Sequence, residues 1–156
     1  MKIICMSDSH SETGNLYDII EREKDAKYVV FLGDGLRDIE GLEAVFTDKT
    51  FYLAQGNCDI FSAYPTLSSF KINNKKIVFT HGHNFGVKTS LLSLKNMASE
   101  QKADICLFGH THTPFAEFFN NILFLNPGSV NRNKANNATY AVIEITDKIN
   151  YEIKNV

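Results

Sequence analysis

Short apolar runs, each stopped by glycine or a polar residue, alternate with amphipathic stretches along the first third of the chain. Lys2–Met6, residues 28–32 and residues 50–54 have the length and composition of buried strands. Between them, residues 12–24 carry Leu16, Ile19 and Ile20 at helical spacing, and residues 36–46 put Leu36, Ile39, Leu42, Val45 and Phe46 on one helical face. Strand and helix in alternation predict parallel strands joined by right-handed crossovers.

After residue 60 the pattern changes. Residues 66–72 and 75–80 flank Asn73-Asn74, residues 114–119 and 122–125 flank Asn120-Asn121, and residues 139–145 and 148–154 flank Thr146-Asp147. Each pair reads as a β-hairpin. Val87, Leu91, Leu94 and Ala98 mark a third helix, and residues 103–108 a strand stopped by Gly109. Hairpin strands added to βαβ units predict an α/β fold: two mixed sheets stacked face to face, with helices outside. The polar stretch 131–137 reads as a loop, not a domain boundary, so residues 1–156 are expected to form one domain.

Composition narrows the partners. The chain is 44% hydrophobic and 22% charged, which is globular. It has no apolar run long enough to cross a membrane and opens directly on a strand, so neither membrane insertion nor secretion is expected. A net charge of −2 does not indicate a nucleic-acid surface. Cys5, Cys58 and Cys106 are widely spaced, without a C-x-x-C pair, which indicates neither a disulfide framework nor a Cys-rich zinc site. Cys5 and Cys106 lie in apolar runs and read as core thiols. A cytoplasmic location is expected. Homo-oligomerisation is left open.

The chemistry gathers where the strands end. Asp8 and His10 follow the first strand, Gly33-Asp34 the second and Gly56-Asn57-Cys58-Asp59 the third. His81-Gly82-His83 follows the fifth, and Gly109-His110-Thr111-His112 the sixth. An isolated Asp-x-His pair would read as a turn or a helix cap. Here all five histidines of the chain fall in such breaks, and ligand sites in α/β folds gather at strand carboxyl ends. Asp8, His10, Asp34, Asn57, His81, His110 and His112 offer seven ligands, more than one ion needs. Two divalent ions about 3.5–4 Å apart, sharing one carboxylate, would use them.

In that order, Asp8-x-His10, Gly33-Asp34, Gly56-Asn57, His81 and Gly109-His110-Thr111-His112 resemble the calcineurin-like metallophosphoesterase superfamily, most closely its small bacterial and archaeal phosphodiesterase branch. The resemblance spans residues 3 to about 130 and includes Asn126-Pro127-Gly128-Ser129. It implies a four-layer α/β/β/α sandwich with a dinuclear centre of manganese, or else iron, zinc or nickel. Carried over, Asp8, His10 and His112 hold one metal; Asn57, His81 and His110 hold the other; Asp34 bridges. These seven are then also the catalytic residues, because a hydroxide bridging the metals attacks a small phosphodiester and no protein nucleophile is needed. A phosphomonoesterase or nucleotidase is the alternative within the enzyme class. The same fold also serves as a protein-binding retromer subunit with a degraded metal site.

Three further residues are candidate substrate contacts. Many members carry a His after the metal-binding Asn, where it can protonate the leaving oxygen; this chain has Cys58. A thiol is a poor replacement, and free cysteines are usually buried, which favours a packing role for it. His83 matches no ligand position and is expected in the pocket around the metals. Arg132 is placed to clamp a phosphate, or else is a solvated loop arginine. Asn15 and Arg37 carry no assigned role.

Overall fold

A computed structural model describes residues 1–133 and 137–156; positions 134–136 of the polar stretch lie outside the described residues. Ten strands form two five-stranded sheets among these residues. The first contains β1 (Lys2–Met6), β2 (Tyr28–Phe31), β3 (Thr50–Leu53), β9 (Thr139–Ile145) and β10 (Ile149–Asn155), in the order β10-β9-β1-β2-β3. The second contains β4 (Leu67–Ile72), β5 (Lys75–Thr80), β6 (Ile105–Phe108), β7 (Phe115–Phe119) and β8 (Ile122–Asn126), in the order β4-β5-β6-β8-β7. Both sheets are mixed: β1, β2 and β3 run parallel, as do β5, β6 and β8, and the hairpins add antiparallel edges.

The alternation of side chains along each strand builds the layers. Ile3 and Cys5 of β1 and Val30 of β2 face Ile77, Phe79, Ile105, Leu107, Leu123 and Leu125 in a core between the sheets. Ile4 and Met6 point the other way, onto Leu16, Ile19 and Ile20 of α1 (Thr13–Arg22). Val78, Cys106 and Phe124 cover the outer face of the second sheet, against Leu94 and Ala98 of α4 (Leu92–Glu100). Strands buried on both faces explain why the runs are continuously apolar. The helix–sheet–sheet–helix sandwich is the architecture expected from the pattern.

Two helices differ from expectation. The stretch 36–46 forms two single turns, α2 (Leu36–Ile39) and α3 (Leu42–Val45), separated at Glu40-Gly41. Glycine is a poor helix former, and five apolar residues at helical spacing do not compensate for it. Val45 is exposed, whereas Leu36, Ile39, Leu42 and Phe46 are buried as expected. The third helix begins only at Leu92, because Gly82 and Gly86 at positive φ bracket a 3-10 turn over His83–Phe85. Val87 and Leu91 still pack onto the outer core, but from a turn.

Candidate metal centre

The loops after β1, β2, β5 and β6 meet over one end of the sandwich and are tied to one another by main-chain bonds. Asp8 N–H donates to Gly33 O at 3.0 Å, His10 N–H to Asp34 O at 3.1 Å, and Gly109 N–H to His81 O at 3.0 Å. Ser129 Oγ donates to Asp8 O at 2.8 Å, and Asn131 Nδ2 to Ser9 O at 2.9 Å. Asn126 Nδ2 holds Gly109 O at 2.9 Å. The family-like segment around residues 126–131 is therefore a brace beneath the first and sixth strand ends.

Asp8, His10, Asp34, His110 and His112 all have positive φ, from 43° to 68°. Such backbone is uncommon outside glycine, and strain of this kind persists where the surroundings over-determine a functional geometry. The glycines among them are steric requirements. A Cβ on Gly56 would collide with the Asp34 carboxylate, and one on Gly109 with the Ser7 hydroxyl.

All seven sequence-predicted ligands converge. On one side His112 Nε2 stands 3.1 Å from Asp8 Oδ1 and 3.3 Å from His10 Nε2. On the other, His81 Nε2 stands 3.0 Å from His110 Nδ1 and 3.2 Å from Asn57 Oδ1. Asp34 lies between, with Oδ2 at 3.4 Å from His81 Nε2 and 3.9 Å from His10 Nε2. His81 Nδ1 lies 2.8 Å from Leu32 O, so a proton on Nδ1 leaves the Nε2 lone pair facing the cluster.

This donor set suits divalent ions. Asp8 is completely buried, yet its Oδ1 has no hydrogen-bond partner among the described residues, although imidazole nitrogens of His112, His10 and His81 stand 3.1, 3.9 and 4.0 Å away. A buried carboxylate oxygen without a hydrogen bond is costly unless a cation compensates it. Its companion oxygen is engaged: it accepts from Ser7 Oγ and from His110 N–H at 3.1 Å. Asp8, His10 and His112 form one group with ion-binding spacing, and Asp34, His81 and His110 another.

Burial acts against the charged form of Asp34, but the His81 hydrogen bond and charge outweigh it and hold the carboxyl well below its usual range. Burial also opposes protonation of His81, yet its hydrogen bond to the Asp34 carboxylate and the charges of Asp8 and Asp34 raise its pKa. His110 is pushed down to about 4, first by burial and then by His81. The cluster thus separates its imidazoles into unequal sites.

The three expected substrate contacts fare differently. His83 sits beside the cluster, its ring 5.4 Å from His81 and 6.2 Å from His110, and its buried Nδ1 has no partner among the described residues. Cys58 is exposed, which corrects the expectation of a buried packing thiol. Its N–H donates to Asp34 Oδ1 at 2.7 Å, and its Sγ joins His10 and Asp34 in a third group with ion-binding spacing. Partial desolvation of the sulfur beside the cluster and the Asp34 carboxylate push the thiol up to about 11. The structure does not bring Arg132 to the cluster: its guanidinium donates to Val156 O at 3.3 Å. Asn15 is structural, donating to Val130 O at 2.8 Å.

Sequence reasoning missed two features. Asp59 accepts four backbone N–H groups, from Asp34 at 2.7 Å, Gly56 at 2.8 Å, and Gly35 and Leu36 at 2.9 Å. The other feature is a cavity of about 640 Å³ beside the cluster, reaching from His10, Asp34 and Cys58 to Arg37, Ile60 and Phe61. The exposed Ile60-Phe61 pair directly after Gly-Asn-Cys-Asp was the available signal.

Comparison with known proteins agrees with this geometry. Residues 1–148 match the model of the calcineurin-like phosphoesterase superfamily domain. The probable metallophosphoesterase YsnB of Bacillus subtilis is 30% identical over 131 residues, covering 83% of this chain and 75% of that protein. The phosphodiesterase YfcE of Escherichia coli is 28% identical, covering 92% and 88% respectively. The crystal structure of a predicted phosphoesterase from Streptococcus pneumoniae superposes with a TM-score of 0.86 at 33% identity, covering 99% of this chain and 88% of that one. Zinc-bound Vps29 of Entamoeba histolytica superposes at 0.75 over 99% of both chains; at 18% identity it shares the fold alone. With these matches, a protein whose strand ends assemble this cluster belongs to the calcineurin-like phosphoesterase superfamily.

Proposed function

We propose that this chain, as one domain, is a phosphodiesterase working with two divalent ions, manganese foremost and otherwise iron, zinc or nickel. Asp8, His10 and His112 would hold one ion, Asn57, His81 and His110 the other, and Asp34 both. The observation that carries this reading is the buried Asp8 Oδ1, without a hydrogen bond among the described residues and facing three imidazoles. When bound, the ions would supply hydroxide near neutral pH and neutralise phosphate oxygens. The protein's part is placement. His81 is oriented by Leu32 O, Asp8 by Ser7 and the His110 N–H, and Asp34 by the Cys58 N–H. Arg37 is exposed in the same cavity and has no hydrogen bond or ion pair among the described residues, so its guanidinium is available to a phosphate oxygen. It takes the role expected of Arg132.

A small phosphodiester suits the cavity size, and the similarity to YfcE favours a diester over a monoester. All seven positions hold competent ligands, which favours an enzyme over a protein-binding scaffold. Three unpaired cysteines suit the cytoplasm. The test is elemental analysis of the reconstituted protein together with a screen of phosphodiesters and monoesters. Two ions per chain and turnover of diesters are expected. A single ion bound away from Asp34, or turnover of monoesters alone, would overturn the reading.

A further inference from the structure

We infer that the cavity beside the cluster selects phosphoesters bearing a planar aromatic group, with Phe61 as the platform on which the ring stacks. The inference rests on the phosphoesterase reading and names the substrate class of that site. Phe61 is 99% exposed and Ile60 69%, so two large apolar side chains stand in water at the mouth of a polar cleft. The cavity is continuous from His10, Asp34 and Cys58 to this pair. A phosphate at the cluster would therefore leave one of its ester groups against Phe61.

The placement is held, not incidental. The Asp59 carboxylate is fastened to Asp34, Gly35, Leu36 and Gly56, Gln55 Nε2 donates to Asp59 O at 2.9 Å, and Ile60 N–H donates to Cys58 O at 3.1 Å. The loop that carries Phe61 is thus anchored to the loop that carries Asp34. Phe61 has a φ of +65°, a conformation that disfavours a bulky residue, and glycine would satisfy the turn with less strain. A strained, exposed aromatic facing a polar cleft is the arrangement of a ligand clamp. Two of the acids that line the cavity, Asp38 and Asp59, are hydrogen-bonded, and Glu40 is exposed there beside Arg37. Asp59 is occupied by backbone N–H groups, and Asp38 Oδ2 accepts from Ser9 Oγ at 2.6 Å and from Ser11 N–H at 2.8 Å. Arg37 lines the same cavity and has no hydrogen bond or ion pair among the described residues. Ring stacking supplies a preference of roughly three- to tenfold over an alkyl group.

The test compares phenylphosphonate with methylphosphonate, which share a head group, by calorimetric titration of the metal-loaded protein. The wild type should prefer phenylphosphonate by roughly three- to tenfold. Phe61→Gly should lose most of that preference while its thermal midpoint holds or rises, and Phe61→Tyr should retain it. Equal binding of the two ligands by the wild type would overturn the inference and leave the phosphoesterase reading intact. An unchanged preference in Phe61→Gly would also overturn it, as would a wild-type dimer that this variant abolishes at unchanged preference. Binding of neither ligand would remove the phosphoester site itself, and the inference with it.

Discussion

Asp59 accepts the backbone N–H of Asp34 at 2.7 Å, so an acid 25 positions along the chain fixes a residue that lies between the His10–His112 and His81–His110 sides of the candidate cluster. Three more N–H groups share that carboxylate. In Asp59→Asn one acceptor becomes an amide N–H₂ that faces donors. Hydrogen bonds to a charged group contribute about 1.5–3 kcal/mol each. We expect a loss of about 2–3 kcal/mol in urea unfolding, together with at least a tenfold fall in kcat/KM. Unchanged stability would show that the loops hold without Asp59.

Asp34→Asn should abolish turnover and spare the fold. The amide is nearly isosteric and keeps an oxygen for the Cys58 N–H, but it supplies no charge to share between two cations. Several kcal/mol of charge stabilisation corresponds to a loss of more than about a hundredfold in kcat. Circular dichroism should be unchanged, and bound metal should fall below two ions per chain. Near wild-type turnover at saturating metal would show that Asp34 does not bridge.

Cys58→Ala should barely change kcat/KM for aryl diesters, and Cys58→His should accelerate the poorer, alkyl leaving groups. Cys58 lines the cavity beside the cluster, at the position where the family resemblance implies an imidazole in many members. General acid catalysis is worth about 10²–10⁴-fold where the leaving oxygen needs a proton. A series of diesters of graded leaving-group pKa checks this: the wild type should show a steep dependence and Cys58→His a shallower one. A large loss in Cys58→Ala would mean that the thiol itself takes part.

Glu23 gives the protein an acid-sensitive element far from the centre. It is 4% exposed and accepts from Tyr140 Oη at 2.9 Å and Lys154 Nζ at 2.8 Å, with Lys2 Nζ at 2.8 Å. Burial acts to raise its pKa, but the hydrogen bonds from Lys154, Lys2 and Tyr140 outweigh it and hold it at about 2, against an ordinary 4.5. A depressed folded-state pKa stabilises above the unfolded value and is lost as pH falls through the folded one. Stability on the order of 3 kcal/mol should therefore disappear between pH 4.5 and pH 2. Urea midpoints across that window should fall more steeply in the wild type than in Glu23→Gln; parallel curves would refute it.

Much of this protein was legible in one dimension because its strands are buried on both faces. Ile3, Ile4, Cys5 and Met6 must all be apolar, so each strand shows as a run and each strand end as an interruption, and every histidine lies in such an interruption. Helices were less legible, because a helical face is only a periodicity: Leu36, Ile39 and Leu42 kept their burial although the helix breaks at Gly41. What the sequence by itself determined was the order of layers and the identity of the seven candidate ligands, since both follow from residue type at strand termini. Only the tertiary structure decided which ligands face one another, that Cys58 is exposed in the cavity beside His10 and Asp34, that Arg37 and not Arg132 reaches the cavity, and that Asp59 locks the Asp34 loop. The physical reason is that hydrogen bonds between loops far apart in sequence depend on how two sheets stack, and no local pattern records that distance.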